Sequence, residues 1–220
     1  MPPLHAAMPR WSPDGKQIAF AAREKGSHWK IYMVSAEGGE PEEVVDLQRD
    51  ELDPTWTPDG ASLVFGGWSS PKISEIDLRS RRVSDVPGSE GLYSPRLSPD
   101  GRYLVAMDTP SVHKLMLFDR QSQKWSELFV NDAIRDAGWP QWSVDSQSVY
   151  IRGTAPGAQG LSLYCITIAD RKISRVADMQ VPEGVVGYFA PWVGVTPDGS
   201  PLLLRNSGSQ EIYALDVDLP

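Results

Sequence analysis

The stretch Trp11–Phe20, WSPDGKQIAF, decides the fold, because the chain writes it again. WTPDGASLVF follows at Trp56–Phe65 and LSPDGRYLVA at Leu97–Ala106. The turn aspartate recurs at Asp14, Asp59, Asp100, Asp145 and Asp198, at intervals of 45, 41, 45 and 53 residues. A repeat of about 40–45 residues is the length of a four-stranded propeller blade. In Ser-Pro-Asp-Gly the proline presets the second turn position and the aspartate bonds nearby backbone N–H groups. The glycine takes the left-handed conformation that sends the chain back antiparallel. Asp14–Gly15, Asp59–Gly60, Asp100–Gly101 and Asp198–Gly199 are therefore assigned as structural turns. The fourth copy, SVDS, carries Val144 and Ser146 in place of proline and glycine.

Every copy continues in the same way. A β-rich run follows the turn (KQIAFAA, ASLVFGG, RYLVAMD, QSVYIRG, PLLLRNS), then a second run (WKIYMVSA, PKISEIDL, HKLMLFDR, LSLYCITI, EIYALDV). A third is marked in the first four copies by EPEEVVDL, RRVSDVPG, KWSELFV and KISRVADM. A short segment before each turn (PRWS, PTWT, PRLS, PQWS, VGVT) supplies an inner strand. Alternation and β-branched content favour strands throughout, and no stretch shows helical periodicity. The expected architecture is all-β: one propeller of four-stranded antiparallel blades over residues 1–220, with repeats near 9–53, 54–94, 95–139, 140–190 and 191–220. Trp11, Trp56 and Trp142 share one inner-strand position, where a large apolar side chain wedges neighbouring blades together. The fifth copy lacks an outer strand, and residues 1–8, with Pro2 and Pro3, suit that role poorly. An incomplete or strained ring is the expectation.

PRWSPDGKQIAF followed by KIYMVSAEGGEPEEV resembles the WD-type repeat of TolB-like β-propellers, over essentially the whole chain. The ending SPLLLRNSGSQEIYALDVD further resembles C-terminal propellers of bacterial regulator or kinase fusion proteins. Such a family has no shared catalytic residues to carry over, and its resemblance implies a periplasmic setting. The chain itself shows neither a signal peptide nor an apolar run of about 18 residues that could span a bilayer.

Charge and motif content narrow the function. A net charge of −8 with no basic block argues against nucleic-acid binding. The single cysteine, Cys165, lies in an apolar run and reads as a buried, inert thiol. His5, His28 and His113 lack zinc-ligand spacing, and there is no GxSxG elbow or Walker loop. The turn aspartates lack an EF-type calcium pattern. No catalytic residue, metal or cofactor is assigned, and a non-enzymatic module is expected.

Strand alternation places the short a–b and c–d turns at one end of the propeller and the longer d–a and b–c loops at the other. Spare loop length on a rigid scaffold is where recognition tends to sit. The longer loops carry Arg23, His28, Trp29, Arg49, Trp68, His113, Arg135, Trp139 and Tyr188, a mixture suited to a protein or peptide partner, although ordinary solvated loops would read the same way. The leading expectation is an interaction or sensory module of a larger bacterial signalling or envelope protein. Two alternatives stay open: a propeller binding a small molecule or sugar, and the accessory propeller of a serine peptidase whose catalytic domain this chain does not contain.

Overall fold

The structure is a computed structural model that describes residues 4–67, 69, 71–108, 114–130, 134–158, 160–179 and 193–203. All regular elements among them are strands. Blade 1 is β1 (His5–Trp11), β2 (Gln17–Arg23), β3 (Lys30–Ser35) and β4 (Glu42–Val45). Blade 2 is β5 (Glu51–Trp56), β6 (Ser62–Gly67), β7 (Ile73–Asp77) and β8 (Val83–Asp85). Blade 3 is β9 (Leu92–Leu97), β10 (Tyr103–Asp108), β11 (Lys114–Asp119) and β12 (Lys124–Val130). Blade 4 is β13 (Arg135–Trp142), β14 (Ser148–Thr154), β15 (Leu161–Thr167) and β16 (Ile173–Met179). Each is an antiparallel meander with its strands in chain order. β17 (Val193–Val195) and β18 (Pro201–Leu203) form a two-stranded sheet from the fifth copy. The second run of the fifth copy, residues 211–217, expected to lack an outer partner strand, lies outside the described residues.

The turn of each repeat closes on itself. Ser12 Oγ donates to Asp14 Oδ1 at 2.7 Å, and the same oxygen accepts from Lys16 N at 3.1 Å. Gln17 N in turn donates to Ser12 Oγ at 2.9 Å. Thr57–Asp59, Ser98–Asp100, Ser143–Asp145 and Thr196–Asp198 repeat the hydroxyl–carboxylate bond. That bond is the leading reason the carboxyls of Asp14, Asp59, Asp145 and Asp198 lie below the ordinary range. Gly101 sits at φ +72°, and Ser146 holds the matching left-handed conformation at φ +61° without being glycine.

The inner strands begin upstream of the short signature. Residues 5–8, expected to be poor strand formers, are the start of β1, and residues 5–7 pair with β2. The strand passes through a bulge at Met8 (φ +56°), and the same bulge recurs at Asp53, Ser94 and Trp139. All four precede proline, a position that ordinarily favours extended backbone. A bulged residue leaves the ladder, and the proline after it has no N–H to leave unpaired.

Blades pack through both faces of their central strands. In β6, Leu63 and Phe65 face blade 1 while Val64 faces blade 3. Blade 3 meets blade 4 through Val105, Met107, Val149 and Ile151. The result is a row of small cores, one per blade boundary.

The wedge holds for two of the three tryptophans. Trp56 is 8 % exposed and its Nε1 donates to Arg10 O at 3.0 Å. Trp142 is half-buried and donates to Arg96 O at 2.9 Å. Trp11, in contrast, is 61 % exposed. Each wedge docks on the inner strand of the preceding blade, and blade 1 has no preceding blade in the described chain. Cys165 also departs from expectation and is half-buried. It shares a face of β15 with Leu163, which packs against the short β17–β18 sheet rather than a full blade.

Candidate functional site

Strand alternation assigns the longer loops to one end, but several of their described side chains are spent on structure. The Arg23 guanidinium stacks 4.8 Å over the Trp29 ring, and Trp29 is buried. His28 Nε2 lies 2.9 Å from Asp46 Oδ1. Asp46 also accepts from Lys30 and from Gln48 N, and its carboxyl is held well below the usual range, chiefly by the Lys30 ammonium. Arg49 Nε donates to Glu51 Oε1 at 2.5 Å, and its Nη2 donates to Ser74 Oγ at 3.0 Å. Glu51 is 1 % exposed, its Oε2 has no hydrogen-bond partner among the described residues, and burial pushes its carboxyl above the usual range. Arg135 is exposed and Trp139 is half-buried at its bulge. Trp68, His113 and Tyr188 lie outside the described residues.

The opposite end holds a feature that sequence reasoning missed. Asp53, fully buried in β5, is flanked by two arginines from the neighbouring inner strands. Arg96 Nη2 lies 2.7 Å and Arg10 Nη2 3.1 Å from Asp53 Oδ1. Ser94 Oγ donates to Asp53 Oδ2. Burial works against the Asp53 carboxylate, but the Arg96 and Arg10 charges outweigh it and hold its pKa below the ordinary value. Arg10 is drawn down to about 10 by burial and by the nearby Arg96 charge, against the pull of Asp53. The sequence shows the residue types but not their meeting. Two places before the turn serine or threonine of the first four repeats stand Arg10, Thr55, Arg96 and Gln141, and Asp53 stands two places before Thr55.

Arg10 and Arg96 border a cleft of about 420 Å³ where the inner strands of all four blades converge. Thr55, Gln141, Trp11 and Trp142 contribute to its wall, with the turn prolines at its rim. Among the described residues, the arginines are its only charged lining. The site offers positive charge, hydrogen-bond donors and aromatic surface. Its described lining residues include no nucleophile–base pair.

Four-stranded meanders arranged around converging inner strands agree with the match of residues 3–181 to the TolB beta propeller domain. The chain belongs to the TolB β-propeller family. TolB from Acinetobacter baumannii superposes with a TM-score of 0.67 at 18 % identity, covering 89 % of this chain and 48 % of that one. The uncharacterized peptidase YuxL of Bacillus subtilis (strain 168) is 41 % identical over 139 residues, 63 % of this chain. The chain spans only 20 % of that relative's length. A puromycin-hydrolyzing peptidase of Mycobacterium tuberculosis shares the fold, with a TM-score of 0.57 at 18 % identity over 90 % of this chain and 33 % of its own.

The YuxL match corrects the expectation of a purely non-enzymatic module. A stretch this similar in sequence occurs in a protein named as an uncharacterized peptidase. The expectation rested on the lack of a catalytic motif within these 220 residues, which is no test of the enzymes in which such a propeller is found.

Proposed function

We propose that this TolB propeller serves a peptidase-type enzyme by receiving peptide substrate at its channel. The 41 % identity to a stretch of a peptidase carries the reading. The cleft supports it. A polar, aromatic-walled opening of about 420 Å³ suits an extended chain end and is small for a folded domain. The propeller's part is to bind and orient, and the bond-breaking chemistry belongs to residues outside those described.

The reading is tested by titrating the protein with N-terminally labelled peptides of five to eight residues and following anisotropy. Thermal shift with neutral oligosaccharides runs in parallel. Saturable peptide binding without a sugar shift is expected. A sugar-induced shift with no peptide binding overturns the proposal in favour of a sugar-binding propeller.

A second reading concerns the loop end, where Arg135 is exposed and Trp139 half-buried at the end of blade 4. These two residues would anchor a protein partner. Joint replacement of both by alanine should then abolish capture of that partner, while Lys16 and Arg102 at the opposite end should be replaceable without effect.

A further inference from the structure

The charge balance of the channel cleft is unusual for so acidic a chain. Among the described residues two arginines line it and no carboxylate does, and the acid between them, Asp53, is already spent. Asp53 Oδ1 faces both guanidinium groups and its Oδ2 accepts from Ser94. One positive charge is left over. Arg96 is 5 % exposed, and its Nη1 donates to Pro95 O at 2.7 Å. Its Nε finds no acceptor among the described residues. Arg10 retains partial exposure and is the accessible head of the pair. A buried guanidinium with an unspent donor is costly, and a bound anion relieves both the charge and the donor.

We propose that the cleft binds a carboxylate, with Arg10 and Arg96 as its counter-charge and the tryptophan-lined wall holding the apolar group next to it. A single surplus charge matches a singly charged carboxylate better than a dianionic phosphate. The planar guanidinium fork suits the two carboxylate oxygens. Trp11 and Trp142 give an aromatic surface beside that charge, so the ligand is an amphipathic acid. Within the peptide-receiving function proposed above, on which this assignment rests, that acid is the C-terminal carboxylate of the peptide. A free small acid would present the same chemistry.

The experiment compares labelled pentapeptides ending in phenylalanine as the free acid and as the C-terminal amide, with N-acetylphenylalanine and inorganic phosphate as competitors. The free acid is expected to bind about tenfold or more tightly than the amide, since charge-assisted hydrogen bonds contribute about 1.5–3 kcal/mol and tenfold corresponds to about 1.4. Arg96→Gln strips Asp53 of its nearer partner and endangers the fold. Arg10→Gln leaves Arg96 in place, and should bring acid and amide to within about twofold while the protein stays folded by circular dichroism. Equal binding of acid and amide by the unaltered protein overturns the carboxylate site and leaves the peptide reading standing. Binding of N-acetylphenylalanine, lost in Arg10→Gln, with no peptide binding keeps the site and overturns the peptide reading. No binding by either acid overturns both. Phosphate competing more strongly than N-acetylphenylalanine, or an acid preference that survives Arg10→Gln, overturns the assignment.

Discussion

At the scale of single residues, position in the ring decides what a side chain is worth. Trp56 and Trp11 occupy the same place in the repeat, yet one is 8 % and the other 61 % exposed. Trp56→Ala should cost about 3–5 kcal/mol, because it empties a packed boundary and removes the indole bond to Arg10 O. Trp11→Ala should stay within about 0.5 kcal/mol, as exposed substitutions do. Urea melts of the two variants decide it, and equal losses would mean that blade 1 is capped in solution. Glu51 gives a prediction in pH. Burial raises its carboxyl, and the neighbouring Arg49 only partly offsets this. A raised carboxyl contributes fully below its unfolded value of 4.5 and loses that contribution as pH rises through the folded value. Glu51→Gln abolishes that loss. The melting-temperature difference between variant and parent should therefore move in the variant's favour as pH rises from about 4 to about 7. A difference independent of pH would show that Arg49 fully compensates the buried charge.

At the scale of the element, the hairpins were legible in the sequence because their chemistry is local. Ser12, Asp14 and Gln17 satisfy one another within six residues, so residue types and spacing suffice to read the turn. The Arg10–Asp53–Arg96 group was not legible, because it joins three blades and exists only once the ring brings their inner strands together. The pre-proline bulges were hidden for a related reason. The local preference of a residue before proline points to extended backbone, and packing of the inner strand overrides it. Ser146 shows both levels in one residue. Its left-handed backbone alone argues that Ser146→Gly should stabilise the fourth hairpin. But Ser146 is buried, and its Oγ accepts from Asp100 N at 3.1 Å, tying the turn of blade 4 to that of blade 3. Asp100 is exposed, so losing that bond costs about 0.5–1.5 kcal/mol, enough to offset most of the relief of about 1–2 from strain, and no gain beyond about 0.5 kcal/mol is expected in denaturant melts. A larger gain in stability would mean that backbone strain outweighs the bond between the blades.

At the scale of the whole molecule, the blades are coupled to their neighbours and to little else. Blades 1 and 2 share one core, blades 2 and 3 a second and blades 3 and 4 a third. Arg120 Nη2 adds a peripheral tie to Glu75 Oε2 at 3.0 Å, and Trp125 Nε1 donates to Pro87 O at 2.8 Å. Stability in such an array is approximately a sum of unit and boundary terms. In blades 2 and 3 the gradient runs from the channel outward, whereas the inner strand of blade 1 is mostly exposed. Every residue of β6 is buried, whereas β8 is half-buried to exposed and β16 is exposed along most of its length. Amide exchange follows the opening of the least buried segments first. Hydrogen exchange should therefore be slowest in β6 and β10, each paired on both sides and packed on both faces. It should be fastest in β8 and β16, by about a hundredfold or more at neutral pH, because peripheral strands open without breaking a blade boundary. Mass spectrometry on peptides covering these four strands makes the comparison. Equal protection across all four would show that each blade opens only as a unit, and the boundary cores would then have to couple the outer strands as tightly as the inner ones.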